Sequence, residues 1–302
     1  VTNRFVPPDL NALPAPSAIE PLDYETLLGA YSIRLKQRFD EAGIDYDVNT
    51  LETDPAMIIG EAVEYERLAD RARINDAVRA VLVPTSWGTN LDALGARYNT
   101  SRLVGEADDR FRYRILLAYE ALATTGTYGG YAYFAMGAST AVRDVVVYGP
   151  ESGLCEPGEA LLIIVSANGE GQPEPASAGL IELVMGEVAR RDRRPLTDHV
   201  IVRSADLKPY TVDAKLTVRS EIDPALARAT AEQRIIAFTQ AASLIGERVS
   251  RAALIAALAA DNQGRVVVES LDLVSPDADI VTAKDEVPWC TSVVVTATVR
   301  EG

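Results

Sequence analysis

The chain has 302 residues, 48% apolar and 24% charged, which is enough for more than one hydrophobic core and excludes a disordered or collagen-like polymer. Lys and Arg total 29 against 44 Asp and Glu, a net charge of −15. Every hundred-residue block is acidic, so the electrostatic footprint of a nucleic-acid binder is missing.

Residues 1–21 read as an extended arm, because proline at 7, 8, 14, 16 and 21 removes backbone donors and favours polyproline II. This N-terminus lacks the apolar centre of a secretory signal, and apolar runs such as "AALIAALAA" at 252–260 are too short to span a bilayer. The arm is therefore expected to carry no signal or membrane anchor. A first helix is predicted over 22–42, with Asp23 as its cap, Gly43 past its end, and Leu27, Leu28, Tyr31, Leu35 and Phe39 near one stripe. The second, over 54–83, is the clearest. Asp54 caps it, Pro55 suits its first position and Pro84 stops it, giving a rod of roughly 45 Å at 1.5 Å per residue. Ile58, Ala62, Tyr65, Ala69 and Ala72 recur at four-three spacing, the pattern of a helix seam. The shorter first helix leaves part of that stripe uncovered, and a partner helix is expected there. Arg71, Arg73, Asn75 and Arg79 would stand beside the seam as donors to acidic partner groups.

An α+β region follows. Helices are predicted over 107–122 and 127–137, strands at "AVRDVVVYG" and "GEALLIIVSA", a helix over 175–191 and a strand at "DHVIVRSA". Downstream, "EIDPALARATAEQRIIAFTQAASLIGERVSRAALIAALAADNQGRVVVESLDL" repeats the order helix, glycine, helix, strand, and "TSVVVTATVR" adds a second strand. Gly126 stands nineteen residues before Val145, and Gly246 twenty before Val266. Residues 106–170 and 206–300 are thus expected to be two copies of one helix–turn–helix–strand–strand unit. The fold class is α+β, in four segments: an arm at 1–21, long helices at 22–84, and α+β domains at 85–205 and 206–302.

"TTGTYGGYAYFAMG" at 124–137 is the one stretch resembling a phosphate loop. It lacks GxxxxGK[ST], and the downstream copy, "LIGERVSRAALIAAL", has neither the glycine pair nor the threonines. Gly126 and Gly246 are therefore assigned as structural turns in left-handed backbone between helices. His199 is the only histidine and lies in a strand pattern with no GxSxG elbow elsewhere, so no triad is expected. The carboxylates Asp108–Asp109 and Glu61, Glu64 and Glu66 invite a glycosidase reading. A helix start and a solvated helical face account for them as well. Arg190, Arg191, Arg193 and Arg194 before Pro195 suit a helix end. Trp87, Trp289 and the 12 tyrosines are scattered as core or interface anchors are. Cys155 and Cys290 are too few and too far apart for a zinc cluster, and they suit a reducing compartment. No catalytic residue, cofactor or metal site is expected.

The assembled pattern resembles the baseplate J-like family of contractile phage tails and related injection machines. The matching stretches are "DLNALPAPSAIEPLDYETLL", "RARINDAVRAVLV", "NLDALGARYNTSRL", "DDRFRYRILLAYEALATTGTYGGYAYFAMGAS", "RRPLTDHVIVRSA" and "VPWCTSVVV", in the family's order over residues 9 to 300. The resemblance implies an architectural virion protein of the tail baseplate, assembled in the host cytoplasm, with no catalytic residues to carry over. It implies two copies per wedge in a ring of wedges, with a smaller wedge protein and a lysozyme-like wedge component as partners. Contacts to hub and spike, sheath and tail fibres would follow. A phage-associated hydrolase with paired carboxylates, or a soluble multimeric adaptor unrelated to phage, are the competing readings.

Overall fold

The computed structural model describes residues 4–6, 9–46, 53–123, 125–169, 171–219, 221–260 and 268–299. Pro7, Pro8, Thr124 and Val266, used in the sequence reading, lie outside them. The chain divides into two compact units, Pro8–Arg102 and Val1–Pro7 with Leu103–Gly302, here called the helical unit and the body.

The helical unit is built on α1 (Tyr24–Glu41) and α2 (Pro55–Ala80), followed by α3 (Gly88–Arg97). The Asp23 carboxylate accepts the Thr26 N–H at 3.2 Å, and Asp54 accepts those of Ala56 and Met57 at 2.9 and 3.2 Å. Both therefore satisfy donors that a helix start leaves open. Gly43, with φ +71°, turns the chain away after α1. Successive bonds from Asn75 to Glu20, Tyr24 to Glu61 and Tyr31 to Ala56 run backward along α2, so the hairpin is antiparallel. The two helices come close at Gly60, where a Cβ would stand 2.1 Å from Tyr31 Cε1.

The body holds α4 (Asp108–Leu117), a 3-10 turn at Glu120–Leu122, and α5 (Tyr128–Ala138). The first sheet contains β1 (Val142–Tyr148), β2 (Glu159–Ala167), β3 (Pro173–Pro175) and β4 (His199–Ser204), with α6 (Ala178–Val188) before β4. Along one side of β2 runs β1, antiparallel; on the other lie β4, parallel, and β3, antiparallel. Leu162 and Ile164 face a core shared with Tyr131, Ala135 and Val184, while Leu161, Ile163 and Val165 face Tyr148, Ile245 and Val287. A strand buried on both faces needs no polar alternation, which is why "ALLIIV" reads as one apolar run.

The second sheet has β5 (Asp206–Val218) at its centre, β6 (Val268–Ser275) antiparallel on one side and β7 (Glu286–Val299) parallel on the other. Helices α7 (Pro224–Ala242) and α8 (Arg251–Ala259) accompany it. Tyr210, Val212, Ala214 and Leu216 form its core with Ile235 and Leu254.

The mixed α+β class is as read from the sequence, but the two halves are not copies of one unit. Both run helix, glycine, helix, strand, yet β1 and β2 pair with each other whereas β6 and β7 are held apart by β5. The sequence reading assigned no strand to 206–218, although "YTVDAKLTV" alternates with the period of a half-buried strand. The central strand precedes the helices in this half, so the order of elements after Gly246 hides a different sheet.

Candidate functional site

The helical unit carries the largest set of residues picked from the sequence. α1 packs on the face of α2 that holds Met57, Gly60 and Glu64, all buried. At ~100° per residue, the line through Ile58, Ala62, Tyr65 and Ala69 lies more than a third of a turn from that face. It is therefore outside the hairpin along its length: Ile58 is 52% exposed and Tyr65 68%, while Ala62 and Ala69 are exposed and Ala72 half-buried. A second apolar line, Ile59, Val63 and Ile74, is also exposed on another side of the helix. The sequence reading missed it; the run "AMIIGEAV" is apolar on more than one side and held the signal.

The remaining seam residues are used differently. Tyr31 lies over Gly60 and donates its hydroxyl to the Ala56 carbonyl at 3.0 Å. Leu35 and Phe39 are half-buried, and Phe39 stacks on Tyr46 at 4.4 Å between centroids. Tyr46 is hydrogen-bonded to Asp54, which raises the Tyr46 hydroxyl to about 12. Arg71 pairs with Glu20 at 2.8 Å and Arg79 with Asp76 at 3.1 Å. Asn75 requires correction. It is 1% exposed, and its amide exchanges two hydrogen bonds with the Glu20 backbone, so it ties the segment before α1 to α2 rather than standing ready for a partner. Ile58, Tyr65 and Ala69 are thus brought to one exposed line, with Ala72 half-buried beyond them; Tyr31 and Asn75 belong to the hairpin's own contact.

Of the residues considered for chemistry, Asp109 and Glu64 are held by arginines. Asp109 pairs with Arg112 at 2.5 Å at the start of α4. Glu64 lies between Arg34 at 3.1 Å and Arg67 at 3.5 Å. His199 is exposed, and its backbone N–H donates to the Gly158 carbonyl at 2.7 Å. No group of three or more His, Cys, Asp or Glu with metal-holding geometry occurs among the described residues. Burial raises both thiols, Cys155 and Cys290. Trp87 is 67% exposed and Trp289 half-buried. In the basic cluster, Arg190 bonds Asp192, Arg193 bonds Glu187 and covers the Phe134 ring at 4.7 Å, and Arg194 donates to the Asp198 carbonyl at 2.6 Å.

The glycine stretch is a packed helix start. Thr127 caps α5 by accepting the Gly130 N–H at 3.0 Å and donates its own hydroxyl to Glu120 O at 3.1 Å. The Glu120 side chain crosses Gly129, where a Cβ would stand 2.5 Å from its Cγ, and a carboxylate there opposes a phosphate. Gly126 has φ +67°, and a Cβ on it would come within 2.7 Å of Pro195 Cγ. Gly246 has φ +72° and donates its N–H to the Glu286 carbonyl at 2.8 Å.

Two ionic clusters in the body escaped the sequence reading, the first because its partners are far apart along the chain. Arg4 holds both oxygens of Asp144 at 2.5 and 2.8 Å and donates to the Ile245 carbonyl, while Asp144 also accepts the Ile245 N–H at 2.9 Å. Burial and the Asp144 charge push the neighbouring Tyr113 hydroxyl up to about 12. Glu106 binds Arg110 and Arg114, and Arg110 also donates to the carbonyls of Met136, Ser139 and Val142. Arg110 thereby occupies carbonyl oxygens at the end of α5 and the start of β1.

The Baseplate J-like N-terminal domain family matches residues 52–109. Baseplate protein J of Escherichia phage P2 is 31% identical over 300 residues, covering 94% of this chain and 95% of that protein. Among solved structures, the cryo-EM structure of the anti-feeding prophage baseplate, 6-fold symmetrised, has a similar chain at a TM-score of 0.40 and 14% identity. The match covers 59% of this chain and 41% of that one.

Proposed function

The chain belongs to the baseplate J-like family and is a structural component of a tail baseplate, and from that premise we propose that it builds the wedge and inner ring around the central hub and spike. In this reading the protein acts by shape and contact rather than by turnover. Two copies enter each wedge with a smaller wedge protein and a lysozyme-like component, and the ring supports the sheath. The α1–α2 hairpin of the helical unit serves as the bundle, and the two sheets of the body as its further parts.

The observation that carries the proposal is the uncovered line Ile58, Ala62, Tyr65 and Ala69 on α2. A helix in water normally turns its apolar face to a neighbour, and α1 occupies another face. Alanines at 62, 69 and 72 let a second helix approach closely, while Ile58 and Tyr65 supply apolar area. Burying such a line is worth roughly 25 cal/mol per Å² of apolar surface, and a specific interface removes about 800 Å² per partner. The triple substitution Ile58→Glu, Tyr65→Glu and Ala69→Glu tests the assignment. All three sites are exposed, so the variant keeps its helicity and unfolding midpoint but fails to enter wedges when co-expressed with its tail partners. Normal entry of that variant into wedges would place the bundle elsewhere.

A further inference from the structure

The second sheet has two edges of opposite character. β6 is eight residues long, carries Glu269 and Asp272, and pairs with β5 through two register shifts. Charges and bulges of this kind keep an edge from recruiting another strand. β7 has one register shift, between Cys290 and Ser292, and beyond it carries neither charge nor bulge. After Glu286 its thirteen remaining residues, "VPWCTSVVVTATV", include no charge, and from Ser292 to Val299 it pairs with β5 without a shift. Fourteen residues at ~3.4 Å make an edge of roughly 45 Å. Among the described residues, no backbone bond joins Trp289–Val299 to any segment other than β5. Its outward residues, Val294, Thr296 and Thr298, are exposed.

We propose that this edge of β7 pairs antiparallel with β7 of a second copy, so that two three-stranded sheets become one continuous sheet across a two-fold axis. The strand's own pattern selects that occupant. With the axis at Thr296, Val294 stands opposite the second copy's Thr298, Val295 opposite its Ala297 and Val293 opposite its Val299. Every opposing pair is β-branched or small, and no like charges meet. A charged foreign strand would find nothing on this edge to recognise it. A chain with net charge −15 repels its own copies, and the uncharged edge is where that repulsion is least. The contact lies on the body and is separate from the α2 line.

Cysteine cross-linking of the full-length chain tests the proposal. Thr296→Cys places two thiols across the axis, whereas Thr211→Cys, also exposed but on the interior strand β5, does not. Under mild oxidation Thr296→Cys should form covalent dimer at least tenfold faster than Thr211→Cys and than the parent chain with Cys155 and Cys290 alone. Equal rates would overturn the pairing. In the second measurement, Thr296→Lys with Thr298→Lys keeps the unfolding midpoint and weakens self-association in sedimentation at least tenfold. Unchanged self-association would overturn it as well. The triple α2 variant retains the Thr296 cross-link, so the two interfaces fail independently.

Discussion

Gly60 shows how one missing side chain sets a helix pair. In an exposed helix Gly→Ala gains about 0.5–1 kcal/mol from backbone entropy, and Gly29, with open space around its Cβ position, should behave that way. At Gly60 the added methyl meets the Tyr31 ring, which must swing away and give up its bond to Ala56. Gly29→Ala should therefore raise the urea midpoint and Gly60→Ala lower it, by about 1 kcal/mol net. A midpoint raised by both would mean that Tyr31 is free to move. Gly126→Val combines a left-handed φ with a collision at Pro195, and an unfolding titration should register a loss of about 1–3 kcal/mol. Tyr113 gives a pH signature. Its folded-state value of about 12 lies above the ordinary phenol value, so its contribution is whole below pH ~10 and is lost as pH rises through about 12. Tyr113→Phe should flatten that part of the alkaline stability curve, and a curve of unchanged slope would show that Tyr113 does not titrate with unfolding.

Among the elements, those with strong local punctuation were legible: α1 and α2 begin at capping aspartates, and β2 stood out as an unbroken apolar run. What was not legible depends on partners distant in sequence. β5 was hidden because an alternating strand placed before two helices looks like a linker until its neighbours at 268–275 and 286–299 are known. The seam on α2 was read by its period, which gives the faces of a helix but not which face a neighbour takes. Met57, Gly60 and Glu64 mix apolar, absent and charged side chains, and the glutamate becomes internal only because Arg34 and Arg67 reach it. Glu64→Leu would remove the buried charge but strand two guanidinium groups that remain partly exposed. It is expected to change stability by less than about 1.5 kcal/mol, measured by urea unfolding. A larger loss would mark Glu64 as the centre of the hairpin.

For the molecule as a whole, the N-terminal residues matter to the body more than the sequence suggested, since Arg4 joins Asp144 of β1 to Ile245 of the α7–α8 turn. Breaking this buried pair with Arg4→Met should cost the body about 3–5 kcal/mol, and adding Asp144→Asn should recover part of it, because the lone carboxylate is then neutral. Equal losses in single and double variants, by urea unfolding, would show that the ion pair is not the cause. It follows that deleting residues 1–84 would remove the Arg4 anchor together with the helices, so substitutions on α2 are the cleaner probe of assembly. When the baseplate forms, the α2 line is expected to be covered. The most direct measurement is the thiol-labelling rate of Tyr65→Cys, followed by peptide mass, in the free chain and in purified tails. Labelling should be at least tenfold slower in tails than in the free chain; equal rates in both would contradict the account.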